Sequence, residues 1–332
     1  MSRTDQAVPT RSASSLLPTQ GAVPRRDVGG RVFSGLATFA GISILVTLAA
    51  VALFLVVRGW PALTTPPAVL AEEVSWFPAD ATMLSFVGPI LFGTLLAAII
   101  ALVLAVPVAV GIALFISHYA PRRLASGLGY VIDLLAAIPS VVYGLWGVLW
   151  LAPRLYPLWQ GVSEGLGFIP LFTGPPATPP RVVATVGVVL AVMILPIITA
   201  VSREVFLQTP RLHEEAALAM GATRWEMVRM AVLPFGRSGV ISASMLGLGR
   251  ALGETMAVLM ILSPGFTYSF ALLLAGRHQT IAANIANQFP EASPAGVSIL
   301  IATGLALFVI TLTVNMTARW VVARRKDFSG AN

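Results

Sequence analysis

An arginine and a glutamate four residues apart in an otherwise apolar stretch are the side chains best equipped for chemistry. Arg250 and Glu254 stand in the run Gly247-Leu-Gly-Arg250-Ala-Leu-Gly-Glu254-Thr255. A spacing of four puts both on one face of a helix, where they can pair. A guanidinium is a planar fork of N–H donors matched to two oxyanion oxygens, so opening that pair would expose a site for a phosphate-like anion, with Thr255 beside it. A charge at the centre of an apolar helix costs about 2.5–3.5 kcal/mol on insertion scales, which makes it a functional candidate by default. The alternative is a salt bridge that only orders helix packing. Ser140 and Tyr143 follow helix-breaking Pro139, and their hydroxyls would either line a path or satisfy a carbonyl that the proline frees.

Other chemistry is excluded by residue type. Cysteine is absent, which removes disulfides, cysteine-zinc sites and thiol nucleophiles, and the three histidines (His118, His213, His278) are scattered. The one lysine, Lys326, lies near the chain end with no glycine-rich loop before it, so no Walker A lysine exists. Gly247, Gly249 and Gly253 miss the dinucleotide spacing; Gly249 and Gly253 read instead as a small-xxx-small packing face. No catalytic residue, metal or cofactor is expected on this chain.

The elements that must hold these residues are membrane helices. The 332 residues are 57% hydrophobic and 11% charged, with mean hydropathy +0.86. Apolar runs predict six spans, at residues 33–57, 86–117, 128–151, 182–202, 239–263 and 294–318, since about 20 residues cross a hydrocarbon layer. The second is too long for one straight crossing, and Pro89 and Pro107 would kink or tilt it. Sixteen of the 21 basic residues fall on the side that holds both termini, four on the other, and Arg250 alone within a span. Both termini are therefore expected in the cytoplasm of a cell (plasma or inner) membrane, and the charge of +7 is a topology signal with secondary contact to anionic lipid rather than a sign of nucleic-acid binding.

This predicts a disordered tail over 1–30, a first helix over 31–58, an outer loop over 59–85, a core over 86–318 and a basic tail over 319–332. The outer loop 152–181 has seven prolines and is not expected to hold a long helix. Ile281, Ile285 and Phe289 suggest a short amphipathic helix on the outer surface, a gate or a mere cap. Asp133 would pair with Arg122 or Arg123, and Trp146, Trp150 and Trp159 would form an interfacial belt.

The cytoplasmic loop 203–238 carries the clearest punctuation. Thr209-Pro210 would cap a helix with Leu212, Ala216 and Met220 as its apolar stripe, ending at Gly221 in a left-handed position. Thr223 to Glu226 is a capping box for a second helix, with Trp225, Val228 and Val232 on one face and Pro234 closing it. The loop is a rigid bracket, or a re-entry segment packed on its own bundle; tied to spans at both ends, it is no DNA reader.

Glu215-Ala216-Ala217, then Gly221, then Leu233-Pro234 resembles the EAA loop of ABC-importer permeases in every spacing, with Ala231 where isoleucine is usual. The run from Arg250 to Thr255 resembles the signature of the phosphate-specific (Pst) importer permeases, and Ile138 to Gly144 is similar to a segment they carry at the same relative place. The long amino-terminal region looks more like their C-type subunit. The resemblance implies an all-α, six-span type I ABC-importer permease fold, with the EAA residues Glu215, Ala216, Ala217, Gly221, Leu233 and Pro234 coupling to an ATPase. It implies an ATP-driven phosphate importer comprising this chain, a second homologous permease in a heterodimer, two cytoplasmic ATPase subunits that use ATP and Mg, and an extracytoplasmic phosphate-binding protein. Molybdate or sulfate import, or a membrane subunit for phosphate signalling, are the alternatives. A secondary transporter would need paired broken helices and an ion-coupling site, and neither is legible.

Overall fold

The computed structural model describes residues 28–78 and 81–324, whose regular structure is helical throughout. Most of the predicted tail 1–30, and residues 325–332 of the basic tail, lie outside the described residues. Packing divides the chain into Met1–Val51 and Ala52–Asn332, with the boundary inside the first helix. That helix, α1 (Val28–Thr64), outruns the predicted 31–58 at both ends and passes through Pro61. Phe33, Phe39, Ile44 and Leu45 are all exposed, so its first half presents an apolar surface suited to hydrocarbon.

The next segment is α2 (Pro67–Glu73), which seats Leu70 in the interior. In α3 (Met83–Leu114) the Thr82 hydroxyl caps the start by accepting from the Ser85 N–H, and a π turn, Phe115–Tyr119, extends the end. The predicted third span is broken: α4 (Arg122–Ala136) and the segment from Ser140 to Leu166 are bent by 91°. Pro139 lacks an N–H and disfavours helical backbone at the residue before it, which ends α4 and starts α5 (Ser140–Trp146).

A π turn, Gly147–Leu151, then leads into α6 (Ala152–Leu166), a 15-residue helix where prolines were expected to prevent one. Pro153 occupies the second position of α6, directly after the wider π register, where its missing N–H is least costly. Pro157 lies inside α6, and the last five of the seven prolines fall beyond Leu166, where the helix has ended.

The fourth span, α7 (Val183–Leu207), is followed by α8 (Arg211–Ala219), α9 (Arg224–Met227), a π turn over Val228–Val232 and α10 (Leu233–Leu252). Pro234 does not close the second loop helix. The Leu233 N–H reaches back five residues to the Val228 carbonyl, and this widened turn lets the chain run on through Pro234 into the fifth span. That span breaks in turn after Leu252 and resumes as α11 (Met256–Ile261). Two broken spans are thus present where the sequence showed none.

The chain ends with α12 (Ile281–Gln288) and α13 (Pro294–Ala323), the latter capped by Ser293, whose hydroxyl accepts from the Gly296 N–H at 3.2 Å. Among the described residues five helices are long and apolar enough to cross a membrane, and six when the bent pair counts as one span. The first turn of α12 is buried on all sides, Ile281 to Asn284 included, so it is a packed element rather than a helix lying on the outer surface.

Small residues bring the central helices together. Ala97, Ala101, Ala105, Ala109 and Ala113 recur every four residues along α3 and are at most 1% exposed, and α3 packs along α7. Dispersion between closely approaching backbones is the main attraction available where lipid is as apolar as the side chains. A second cluster joins Ala62, Leu70, Phe86, Ile281 and Ile299 at one end. A third joins Leu114, Phe206, Ala217, Met227 and Val228 at the end that carries the 203–238 loop.

Candidate functional site

Gly253 ends α10, and this separates the two charges that the sequence placed on one helical face. Among the described residues the ion pairs within 4.0 Å are His118–Glu214 and Arg203–Glu204, so Arg250 and Glu254 do not pair. Glu254 is buried and turned the other way: its carboxylate accepts from the Ala257 N–H at 3.1 Å, capping the first turn of α11. Negative charge at a helix start is favourable, which gives this carboxylate a structural partner of its own. Thr255 donates its hydroxyl to the Gly253 carbonyl at 3.2 Å, closing the same break.

Arg250 instead lines an open cavity of about 990 Å³ together with Ser242, Gly249, Asn315 and Arg319. Gly249 is open to that space and a Cβ there would meet nothing, so Gly249 and Gly253 form no small-xxx-small contact within this chain. The close glycine contact belongs to Gly247, where a Cβ would come within 2.8 Å of Ile198.

The two broken spans meet at their second halves. A Cβ on Gly144 of α5 would lie 2.9 Å from both the Ala257 Cα and the Met260 Sδ of α11, so glycine is what lets these helices touch. Tyr143 is buried and donates its hydroxyl to the Leu135 carbonyl at 2.9 Å, across the Pro139 break. Of the two uses foreseen for that hydroxyl, satisfying a carbonyl freed by the proline is the one formed here. Ser140 is the first residue of α5 and does not line the Arg250 cavity.

The 203–238 loop is a bracket, differently built from its sequence reading. Gly221 has φ +86° with open space around it, as a left-handed helix end requires, and the capping box between Thr223 and Glu226 has both of its hydrogen bonds. Thr209 does not cap α8: Pro210 takes the cap position, and the Thr209 hydroxyl is buried without a hydrogen-bond partner. Ala217, Met227, Val228 and Val232 pack on Leu114 and Phe206, whereas Leu212, Met220 and Trp225 are 73%, 75% and 57% exposed. Trp225 therefore leaves the face it was expected to share with Val228. Glu215 and Ala216 lie on α8 with buried Ala217, and Leu233 and Pro234 open α10.

Asp133 is exposed and forms no ion pair with Arg122 or Arg123. Trp146 and Trp150 stack at 5.7 Å, with Arg154 over Trp150 at 4.0 Å, but Trp159 turns inward and donates to the Thr185 hydroxyl at 3.0 Å. Sequence reasoning missed Arg319 and Asn315. Arg319 was assigned to the tail because its helix was ended too early; Asn315, a lone amide in an apolar span, was the available signal.

Residues 105–327 match the family described as the binding-protein-dependent transport system inner membrane component. The chain belongs to this family. It is 48% identical over 297 residues to phosphate transport system permease protein PstC 2 of Mycobacterium tuberculosis, covering 88% of this chain and 91% of that protein. It is 37% identical over 337 residues to phosphate transport system permease protein PstC of Mesorhizobium japonicum, covering 100% of each. A solved chain from a bacterial ABC transporter that imports the acidic polysaccharide alginate shares the fold, with TM-score 0.50 at 16% identity over 89% of this chain and 99% of that one. This family member is accordingly an all-α, multi-pass transport subunit of a larger ABC transporter, as the EAA resemblance implied.

Proposed function

We propose that the chain is the C-type transmembrane permease of an ATP-driven inorganic phosphate importer. The carrying observation is Arg250: an intramembrane guanidinium that, among the described residues, has no ion-pair partner within 4.0 Å and lines a cavity with no carboxylate on its wall. An arginine held there free of a counter-ion is suited to an oxyanion, and the chain's similarity to phosphate transport system permeases points to phosphate as that anion. A second homologous permease would complete the path, and an extracytoplasmic phosphate-binding protein would deliver the substrate.

Two cytoplasmic ATPase subunits, using ATP and Mg, would dock on α8 and the Gly221 turn, with Glu215, Ala216 and Ala217 on the coupling helix and Leu233-Pro234 where the bracket joins the fifth span. Leu212, Met220 and Trp225 form the exposed apolar surface that such docking would cover. With the bent pair as one span, six crossings would leave both termini and this loop on one side, and the excess of basic residues there supports reading that side as the cytoplasm of a cell membrane.

The test is labelled-phosphate uptake at low external phosphate in a strain lacking the gene, complemented with wild type or Arg250→Ala at matched membrane abundance. Wild-type uptake that resists excess sulfate and molybdate, and is lost with Arg250→Ala, is the expected result. Wild-type uptake abolished by sulfate or molybdate would overturn phosphate as the substrate. Normal phosphate uptake without the gene, with altered phosphate-responsive expression, would make the chain a signalling subunit.

A further inference from the structure

Arg319 belongs to α13, which runs to Ala323, and it faces the same cavity as Arg250. We propose that Arg319 and Asn315 of α13, with Ser242 of α10, form a second holding point for a phosphate group in that cavity, apart from Arg250; this rests on the importer reading above. Two guanidiniums share one space, and among the described residues neither makes an ion pair within 4.0 Å and no Asp or Glu lines it. Two guanidiniums lining one open cavity give it a positive potential, which favours an anion there. The open cavity of about 990 Å³ is large enough to admit a hydrated anion.

The remaining polar groups favour one kind of anion. The Asn315 amide supplies N–H donors. The Ser242 hydroxyl donates its single hydrogen to the Ser238 carbonyl at 2.9 Å, which leaves only lone pairs toward the cavity. It therefore accepts from an anion that still carries a P–O–H proton. Inorganic phosphate near neutral pH has that proton; sulfate and the phosphodiester of a phospholipid headgroup do not.

The absence of native cysteine makes the cavity testable with one introduced thiol. Leu246→Cys lies on the cavity wall. Its reaction rates with an anionic and a cationic thiol reagent are measured in inside-out vesicles holding the complete importer. A cavity carrying two guanidiniums makes the anionic reagent about tenfold faster, and Arg319→Gln reduces that preference about threefold. Arg319→Lys keeps the preference, because it is a matter of charge and not of packing.

Inorganic phosphate, and not sulfate, slows labelling in the Arg319 form and loses that effect in Arg319→Gln. A preference that ignores Arg319, or labelling unaffected by phosphate, overturns the proposal. So does protection that appears only when phosphatidylglycerol replaces phosphatidylcholine in the vesicles, since a lipid headgroup is then what the cavity holds. Wild-type phosphate uptake in the same strain is scored separately, and its absence overturns the importer reading instead.

Discussion

Nε2 of His118 stands 3.4 Å from Oε1 of Glu214, joining the π turn at the end of α3 to the first turn of α8. The His118 Nδ1 meets the Ser117 hydroxyl at 2.7 Å, which fixes the ring. A contact of this kind, with Glu214 partly open to solvent, contributes less than about 1 kcal/mol. Its place gives it a further consequence, because it is a polar link between the second span and the 203–238 bracket. His118→Ala and Glu214→Ala should each lower thermal stability in detergent slightly, and the double variant should be no worse than either alone. Losses that simply add would show that the contact carries no interaction energy.

Tyr143→Phe removes the hydrogen bond across the Pro139 break and leaves the Leu135 carbonyl without its side-chain donor. The expected loss is about 1–2 kcal/mol, read as a lower thermal midpoint of the purified chain. An unchanged midpoint would mean that the Ile138 N–H, already 3.3 Å from that carbonyl, suffices as its donor.

Gly221 can be tested by conformation alone, since a Cβ there touches nothing and φ is +86°. Gly221→Ala should destabilise the bracket by about 1 kcal/mol, and Gly221→Asn by less, because asparagine tolerates the left-handed region. Gly221→Pro removes the N–H that reaches the Leu218 carbonyl at 2.9 Å and forces a negative φ. It should remain in the membrane and hydrolyse ATP without uptake when assembled with its ATPase. Normal ATP-dependent uptake would refute the coupling role.

His278, in the segment between α11 and α12, donates from Nε2 to the Ser269 carbonyl at 2.6 Å, while Nδ1 is buried without a partner. Burial, with Arg277 adding to it, holds its pKa below the ordinary histidine value of 6.5, the Ser269 carbonyl opposing this. The folded chain thus binds fewer protons than the unfolded one, so stability is complete above pH 6.5 and falls as pH drops below it. His278→Gln should flatten the pH dependence of the thermal midpoint between neutral and mildly acid pH. A wild-type midpoint that rises on acidification would contradict this.

Orientation is checked with two introduced cysteines at exposed positions, Met220→Cys in the bracket and Glu291→Cys after α12. An impermeant thiol reagent should label only Glu291→Cys in intact cells and only Met220→Cys in inside-out vesicles. The reverse pattern would place the termini outside.

The sequence revealed what local chemistry decides. The capping box at Thr223 and Glu226 and the left-handed Gly221 were legible because each depends on a few adjacent residues. The apolar runs gave the spans because burial in lipid needs only length. Continuity through Pro234 was not legible, since a π turn leaves no composition signal, and the same holds for α6 after Leu151. The Arg250–Glu254 pairing failed for a related reason: periodicity assumes an unbroken helix, and Gly253 with the Glu254 cap on α11 ends it between them. Arg319 was missed because the last helix was ended too early, and its place opposite Arg250 depends on another helix.

The uninterrupted passage from Arg224 to Leu252 has a mechanical consequence. At about 1.5 Å per residue it is a stiff rod of about 40 Å, with the capping box at one end and Arg250 near the other. Tilting such a rod by about 5° about its foot would carry the guanidinium sideways by about 3 Å, comparable to the length of a hydrogen bond. Leverage of that kind converts a small rocking of the bracket into the making or breaking of a contact with an anion, with no unfolding of the helix between.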